Sequence, residues 1–263
     1  MKFASFASGS SGNCEFISDG KCNILIDAGI STKRIVDGLC DVGTSPEDVC
    51  GILITHEHSD HIQGINVFCG KYKKPIYATY NTLKAIEAND KKHKLDTSLF
   101  HVVQSDEAFD IGDMKITPYT ISHDAADPVC YRIEADGRSI GMATDLGTYD
   151  NYIVEKLSGC NTLFIEANYD VAMLQAGKYP FYLKKRILSD HGHLSNDMSA
   201  RLILELLGRN VNNIILAHLS KENNYPQLAY ETVKYELSKE YGDTSRFNMQ
   251  TAHRSCPSDV INI

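Results

Sequence analysis

Three histidines and two carboxylates lie within six residues of the chain, in the run His56–His61 with the sequence HEHSDH. Neutral imidazole and carboxylate groups are ligands that zinc, iron and manganese accept. His56 and His58 are two residues apart, so in an extended segment their side chains point to the same side and can share a cation. Asp60 and His61 follow where the chain is expected to turn into a helix, which aims them at a second position. The run therefore predicts a metal site.

The candidate ligands each follow a short apolar segment. They are His56 after 52–54, His123 after 116–121, Asp145 after 140–143 and His218 after 214–216. Such segments are typical of buried strands. Residues at the ends of strands lie on loops that a rigid sheet holds in place, and an α/β scaffold positions a functional site in this way.

Strands and helices are predicted to alternate along the whole chain. The predicted strands are 2–7, 14–18, 23–27, 51–54, 75–78, 130–135, 139–143, 163–165 and 214–217. The predicted helices are 32–40 with Ser31 as its cap, one after the run with Ser59 as its cap, 81–88, 150–157, 180–188, 196–207 and 228–240. Asp136 and Gly137 predict a hairpin turn. This interleaving predicts one layered α/β domain over residues 1–263.

The segment 55–61, THEHSDH, resembles the hallmark motif of the metallo-β-lactamase superfamily. Four further motifs of that superfamily have counterparts in the same order along the chain: Asp27 at the end of an early strand, His123, Asp145 and His218. The resemblance covers nearly the whole chain. It implies a four-layered αββα sandwich that binds two divalent metal ions, which could be zinc, manganese or iron.

The resemblance also implies a role for each of these residues. One metal ion would be held by His56, His58 and His123, and the other by Asp60, His61 and His218. Asp145 would bridge the two ions, and Asp27 would hold the histidine run from behind. Asp60 is counted among the catalytic residues as well as among the ligands.

Other segments resemble the phosphodiesterase branch of the superfamily. The segment 163–167 is similar to a motif of RNase Z-like enzymes and places Glu166 at their glutamate, and His193 resembles their catalytic histidine. The segments that together resemble the WalJ/YycJ family are 8–13, 123–125, 192–196 and 218–224. That resemblance implies a 5′-phosphate-dependent DNA exonuclease, with DNA that is single-stranded or carries a 5′-phosphorylated end as its partner.

The predicted mechanism is in-line attack on phosphorus by a hydroxide held by the two metals. His193 is the candidate general acid for the leaving oxygen, with Glu166 orienting it. The alternative is that His193 merely begins a helix at the surface and Glu166 is a cap. Candidate contacts to a substrate phosphate are Ser10, Ser11, Asn13, Lys221 and Asn223, although 8–13 also fits a plain tight turn.

The number of residues between the ligand motifs and the net charge of the chain exclude some functions of the superfamily. The 21 residues between His123 and Asp145 leave no room for a long tRNA-binding arm, and the 72 between Asp145 and His218 are too few for a β-CASP domain. The formal net charge of −8 counts against a broad DNA-binding surface. The basic clusters at 71–74, 91–94 and 184–186 are interpreted as solvated surface.

Three other functions remain open. A phosphodiesterase for small molecules such as cyclic phosphates, similar to PhnP, fits the acidic charge and the absent arm. A thioester hydrolase of the glyoxalase II type shares the metal motif but leaves His193 and Glu166 without a role. A metal-dependent binding module would hold the ions and turn over no ester.

The chain is expected to be cytoplasmic and to have no membrane partner. Its first six residues lack the apolar core of a signal peptide, and no segment approaches the roughly 20 apolar residues that span a bilayer. The eight cysteines are accordingly expected to be reduced, without a Cys14–Cys22 bond. His93, His101 and His253 have no motif context and are interpreted as structural or surface residues.

Overall fold

The computed structural model describes residues 1–90, 94–208 and 210–263. His93 and two lysines of one basic cluster, Lys91 and Lys92, lie outside the described residues. The chain divides into two compact units. Unit 1 comprises Met1–Thr120, Ala125–Gly137 and His253–Asn262, and unit 2 comprises Ile121–Asp124, Arg138–Ala252 and Ile263. That all 263 residues form a single domain stays a prediction.

The helices and strands follow the predicted order. The strands are β1 Lys2–Ala7, β2 Cys14–Ser18, β3 Asn23–Ile26, β4 Val49–Leu53, β5 Ile76–Thr79, β6 Phe100–Val103, β7 Phe109–Ile111, β8 Met114–Thr120, β9 Val129–Ala135, β10 Arg138–Ala143, β11 Thr162–Glu166, β12 Asn213–Ala217, β13 Asn248–Thr251 and β14 Ile261–Asn262. The α-helices are α1 Thr32–Asp41, α2 Ser59–Ile62, α3 Ile65–Tyr72, α4 Tyr80–Asn89, α5 Asn151–Leu157, α6 Val171–Ala176, α7 Phe181–Ile187, α8 Asn196–Leu206 and α9 Pro226–Glu240. Short 3₁₀ turns lie at Pro46–Asp48 and Thr97–Leu99.

Unit 1 contains a mixed sheet in the order β14-β1-β2-β3-β4-β5-β6. The first four strands of this order pair antiparallel and the last four pair parallel. Phe6, Phe16, Ile35, Phe68 and Leu83 are among the buried residues of one core that the sheet shares with α1, α3 and α4. Strands β7, β8 and β9 of the same unit form a separate antiparallel ladder.

Unit 2 contains four parallel strands in the order β10-β11-β12-β13, with helices α5 to α9. Residues of β10, β11 and β12 are almost completely buried, as expected for parallel strands that are covered on both faces. Since parallel strands share one carboxyl edge, the residues that follow β10, β11 and β12 emerge at the same edge of this sheet.

Most predicted elements are present, and their ends differ from the prediction by no more than two residues. Ser31 is the N-cap of α1, and its side chain accepts a hydrogen bond from Arg34 N. Asp136 and Gly137 both have positive φ, as a tight hairpin turn of this sequence requires. The helix α6 was not predicted, since it has only six residues.

The predicted helix after the histidine run differs in two ways. Ser59 is not its cap, because the N-cap is His58 and Ser59 is the first helical residue. The helix is also divided into α2 and α3 at Gly64, whose N–H donates to Ala28 O at 2.8 Å. A Cβ at Gly64 would lie 2.2 Å from Ile30 O, so only glycine allows the two segments to approach this closely.

The expectation of eight reduced cysteines is wrong for one pair. Cys22 and Cys50 are joined as a disulfide, with their Cα atoms 6.1 Å apart. The parallel pairing of β3 with β4 brings them together, because Asn23 and Val49 are partners in the register. Cys14 is free and buried, so the Cys14–Cys22 bond is absent, as expected.

Among the described residues, no helix combines the length and the apolar character needed to cross a membrane. A cytoplasmic location stays a prediction.

Candidate metal centre

In unit 1, the ring nitrogens of the first two histidines in the run converge on one point. His56 Nε2 and His58 Nδ1 are 3.1 Å apart. Two nitrogens bound to one tetrahedral zinc ion at about 2.1 Å are separated by roughly 3.4 Å. His56 is completely buried. The pair can therefore bind one cation, as the spacing of two residues predicts.

Asp27 holds the run from the end of β3. Its Oδ1 accepts from Thr55 N and its Oδ2 accepts from Thr55 Oγ1, both at 2.8 Å. His61 Nδ1 lies 2.7 Å from Asp27 Oδ2 and donates its proton there. Thr55 Oγ1 is also 3.0 Å from His56 Nδ1, and since its own proton goes to Asp27, it accepts from that nitrogen. The Nε2 lone pairs of both histidines are thereby directed toward a metal.

Asp60 and His61 form a second pair of donors. Asp60 Oδ2 lies 3.7 Å from His61 Nε2, which is the nitrogen that Asp27 leaves unprotonated. Asn13 Nδ2 also lies 3.0 Å from His61 Nε2, and Asn13 Oδ1 accepts from Gly9 N at 2.7 Å. Asn13 thus contacts the histidine, whereas Ser10 and Ser11 of the same loop are exposed.

Replacing Asp27 by Asn should weaken metal binding. One amide oxygen cannot accept from Thr55 and His61 as two carboxylate oxygens do, and the amide N–H group would face their protons. Loss of a group that orients a ligand typically lowers metal affinity about 10- to 100-fold. Competition with a chromogenic chelator measures this affinity. Unchanged affinity in a variant that unfolds at the wild-type denaturant concentration would contradict the role of Asp27.

Gly29 allows the loop after Asp27 to touch the turn of the histidine run. Asn13 N donates to Asp60 O and Ala28 N donates to His61 O, both at 2.8 Å. A Cβ at Gly29 would lie 1.6 Å from Asp60 O, closer than any real contact. The close approach of these two backbones therefore determines where Asp60 and His61 lie.

A Gly29→Ala variant is expected to be strongly destabilised. The backbone of the run must shift, which costs about 3 kcal/mol of unfolding free energy, the upper end of the usual range for overpacking, and the donors at Asp60 and His61 move with it. Denaturant unfolding and metal content test both effects. Gly70→Ala is the matched control: Gly70 lies within α3 with open space around it, so alanine there should stabilise by about 0.5–1 kcal/mol. Equal stability of the two variants would contradict the prediction.

In unit 2, Glu166 at the end of β11 is shared by two histidines. Its Oε1 lies 2.8 Å from His193 Nδ1 and 2.9 Å from His218 Nδ1. Its Oε2 accepts from Leu146 N at 3.2 Å and Leu194 N at 3.1 Å. Because both oxygens accept two bonds, Glu166 orients the two histidines and is less suited to bind a metal itself.

Glu166 is completely buried and is held as a carboxylate. Burial alone raises the pKa of this group, but the charge of His193 and the hydrogen bonds from His193 and His218 outweigh it, so the pKa lies below its usual range. An ionised Glu166 accepts from Nδ1 of both rings. With the proton on Nδ1, the lone pair of each ring is on Nε2.

Asp145 lies beside these histidines. Its Oδ1 is 3.4 Å from His218 Nδ1, 3.7 Å from His193 Nδ1 and 4.0 Å from His123 Nε2. Donor atoms of Asp145, Glu166, His193 and His218 all lie within 4.8 Å of one another. His123 Nδ1 donates to Gly192 O at 3.3 Å, which leaves Nε2 as its ligand atom. Burial lowers the pKa of His123, which favours the neutral form that binds metals.

Three site residues adopt the left-handed conformation that non-glycine residues rarely occupy. Asp27, Asp145 and His218 have φ angles of +59°, +57° and +53°. Each lies just after a strand, and the sharp turn there directs its side chain away from the strand direction. Such conformations cost of order 1 kcal/mol or more each and concentrate at functional sites.

Each unit thus brings together its own share of the predicted ligands. Unit 1 holds His56, His58, Asp60 and His61, and unit 2 holds His123, Asp145 and His218 with the pair Glu166 and His193. Of the remaining predicted contacts, Lys221 is exposed, while Asn223 is buried and its Nδ2 lies 3.5 Å from Ser220 Oγ.

Sequence reasoning missed two positioning residues. Thr55 links Asp27 to the run, and its place directly before the run was the signal for it. Asn168 is buried and donates through Nδ2 to His218 O at 2.8 Å. Nothing in the sequence near His218 indicates Asn168, because 50 residues separate them.

Comparison with known proteins identifies the family. A family profile described as the Beta-lactamase superfamily domain matches residues 22–218, which contain every predicted metal ligand. The chain belongs to the metallo-β-lactamase superfamily. As a member of it, the chain is a metal-dependent hydrolase, and the predicted α/β fold of this superfamily is confirmed.

Within the superfamily, the chain belongs to the WalJ/YycJ family. It is 40% identical to a protein named exodeoxyribonuclease WalJ from Streptococcus pneumoniae over an alignment of 239 residues. This alignment covers 91% of this chain and 89% of the relative. It is 34% identical over 261 residues to exodeoxyribonuclease YycJ from Bacillus anthracis, covering 99% and 98%. The crystal structure of the metallo-β-lactamase fold protein YhfI from Bacillus subtilis superposes with a TM-score of 0.69 at 14% identity, covering 100% of both chains, which shows the shared fold.

Proposed function

We propose that this protein is a two-metal phosphodiesterase that removes nucleotides from a DNA strand with a 5′-phosphate. The observation that carries the proposal is the similarity, over 91% of the chain, to a protein named exodeoxyribonuclease. The hydrogen bond between Glu166 and His193 supports phosphodiester chemistry, because it suits a proton donor for a leaving alkoxide.

The donor set fits two divalent metal ions. Imidazole nitrogens and carboxylate oxygens suit zinc, manganese or iron, and partners such as Asp27, Glu166 and Gly192 O hold the ring of a ligand histidine through its other nitrogen. The residues that would hold the ions are His56, His58, Asp60, His61, His123, Asp145 and His218. Bound metals would lower the pKa of a coordinated water and neutralise charge on the phosphate.

His193 supplies the proton for the leaving oxygen. Its side chain is only 13% exposed, and Nδ1 is occupied by Glu166 Oε1 at 2.8 Å. This leaves Nε2 for the substrate. The ionised Glu166 stabilises the protonated ring before transfer and keeps the ring oriented afterwards. Glu166 is thus a positioning residue, and His193 is the catalytic acid.

The loop 8–13 is the proposed site for the substrate phosphate. Ser10 and Ser11 are exposed, and Gly9 and Gly12 have φ angles of +144° and +150°, which open the turn between them. A turn of this kind presents backbone N–H groups to an anion. Asn13 connects the loop to His61, so a phosphate bound here would lie close to the donors of unit 1. Lys221 and Asn223 are proposed as weaker contacts.

A panel of substrates tests the proposed function. Purified protein with defined metal content is given single-stranded DNA with a 5′-phosphate, the same strand with a 5′-hydroxyl, a cyclic nucleotide, an aryl phosphodiester and a glutathione thioester. We expect release of mononucleotides from the 5′-phosphorylated strand at a much higher kcat/KM than from the 5′-hydroxyl strand. Turnover of the small esters alone would instead establish the small-molecule or thioester alternatives.

A further inference from the structure

The chain between Glu166 and His193 forms a small helical hairpin in unit 2, made of α6, α7 and the loop that joins them. Leu174 and Ile187 of this hairpin form a small buried hydrophobic cluster with Tyr169, which lies just before α6. The hairpin is anchored at its loop, where a Cβ at Gly177 would lie 2.8 Å from Asn223 Oδ1. It is also anchored at its base, where Asp170 N donates to Asn223 O at 2.9 Å.

Two adjacent aromatic side chains on this hairpin are exposed. Phe181 is 82% exposed and Tyr182 is 75% exposed, more than any other large hydrophobic residue among those described. Both lie in the first turn of α7. Together the two rings form a small exposed apolar patch, and a patch of this kind is a candidate binding surface when other groups beside it suit a ligand.

The basic residues that follow are used in different ways. Lys184 donates to Gln175 O at 2.7 Å, and Arg186 pairs with Asp124 through two bonds of 2.5 and 2.8 Å. Lys185 is exposed and comes four residues after Phe181, so it lies on the same face of α7. A cation beside two aromatic rings, on a chain of net charge −8, suits an anionic partner with planar groups.

The position of α7 is tied to the catalytic groups of unit 2. Arg186 is bonded to Asp124, the neighbour of His123 in the chain. His193 N donates to Ile187 O, the last residue of α7, at 3.2 Å. These contacts fix the position of α7 relative to His193, so a DNA strand bound to the exposed face of α7 would be held at a fixed distance from His193.

We infer that Phe181, Tyr182 and Lys185, together called the α7 platform, bind the single-stranded part of the DNA substrate. Bases stack on the two rings, and Lys185 neutralises a phosphate between them. Stacking accepts any base, which suits an exonuclease that must process every sequence. The bases of a duplex are already stacked on each other, so the platform selects single strands. This inference rests on the proposed function and names where its substrate is held.

Binding to a non-hydrolysable strand tests the platform. The metal-loaded enzyme is titrated into a fluorescent phosphorothioate oligothymidylate with a 5′-phosphate, and anisotropy gives the Kd. Loss of one stacked base weakens binding about 5- to 150-fold, so the double variant Phe181→Ala/Tyr182→Ala should raise the Kd by at least about 5-fold. Phe181→Leu/Tyr182→Leu should do the same, because leucine keeps the apolar surface but has no ring. Tyr235→Ala on α9, where Tyr235 is 65% exposed, is the matched control and should leave the Kd unchanged.

An abasic strand with the same backbone separates stacking from other effects. Wild type and double variant should bind it with the same Kd, and both should hydrolyse a small aryl phosphodiester at the same rate, since neither substrate has bases to stack. A Kd for oligothymidylate that is unchanged in the double variant, or an equal loss on the abasic strand, would overturn the inference and leave the proposed function intact. A change of particle mass in light scattering with DNA binding retained would assign the face to a protein contact and also overturn it. A wild-type enzyme that neither binds nor cleaves DNA would refute both proposals together.

Discussion

A His193→Ala variant is expected to lose about 10²- to 10⁴-fold in kcat on DNA, the range that a general acid contributes, while its metal content stays at the wild-type level. The physical reason is that the alkoxide leaving from a phosphodiester is a strong base and needs a proton as the bond breaks. Glu166 fixes the Nδ1 atoms of both His193 and His218, but of these two histidines only His193 is partly exposed and can reach a substrate.

The choice of leaving group makes this test specific. An aryl diester with a nitrophenolate leaving group needs little protonation, so His193→Ala should hydrolyse it nearly as fast as wild type. Glu166→Gln should impair both substrates, because glutamine carries no charge for His193 and also disturbs the ring of His218, a proposed metal ligand, so its metal content should fall as well. An equal loss on both substrates, with metal retained, would show that His193 positions the substrate or the metals and is not the acid.

An Asp145→Asn variant is expected to lose at least about 10³-fold in kcat/KM, because a metal centre supplies several kcal/mol of transition-state stabilisation and 1.36 kcal/mol corresponds to a factor of ten. An amide carries no charge, so it would offset the charge of bound cations less well than the carboxylate of Asp145 would. The number of metals per chain, measured by mass spectrometry of the elements, should fall below that of wild type.

Asp150→Asn is the matched control for this variant. Asp150 is the N-cap of α5 and accepts from Tyr152 N and Ile153 N. Asparagine caps a helix about as well as aspartate, so activity, metal content and stability should all be retained. A chelator should abolish the activity of the wild type, and added zinc or manganese should restore it. Full activity in the presence of a strong chelator, or in Asp145→Asn, would contradict the two-metal proposal.

The spacing of residues in the chain was enough to predict the donors within the histidine run. His56 and His58 converge because alternate side chains of an extended segment share one side, and this rule needs no tertiary contact. Capping is equally local, so Ser31 was correctly assigned to α1. The apolar segments before Asp145 and His218 predicted the ends of buried parallel strands, for which continuous apolar segments are typical. The segment before His123 also predicted a strand end, although that strand, β8, is antiparallel.

Predictions from local sequence were wrong where contacts with distant segments of the chain determine the structure. Ser59 has the right residue type for a cap, but Gly64 bonds to Ala28 and divides the helix, so the first turn begins differently. Cys22 and Cys50 are 28 residues apart, and only the pairing of β3 with β4 makes them neighbours. No periodicity in the sequence contains that information.

The sequence by itself determined which side chains are available as metal ligands and at which strand ends they lie. The tertiary structure decided how each one is oriented: Asp27 selects the nitrogen that His61 presents, and Glu166 does so for both His193 and His218. The physical reason is that a histidine can bind a metal through either of its two ring nitrogens. The carboxylate that accepts the proton of one nitrogen determines which nitrogen is presented. That carboxylate is 27 to 52 residues away in the sequence, and only the packing of the strands brings it next to the histidine.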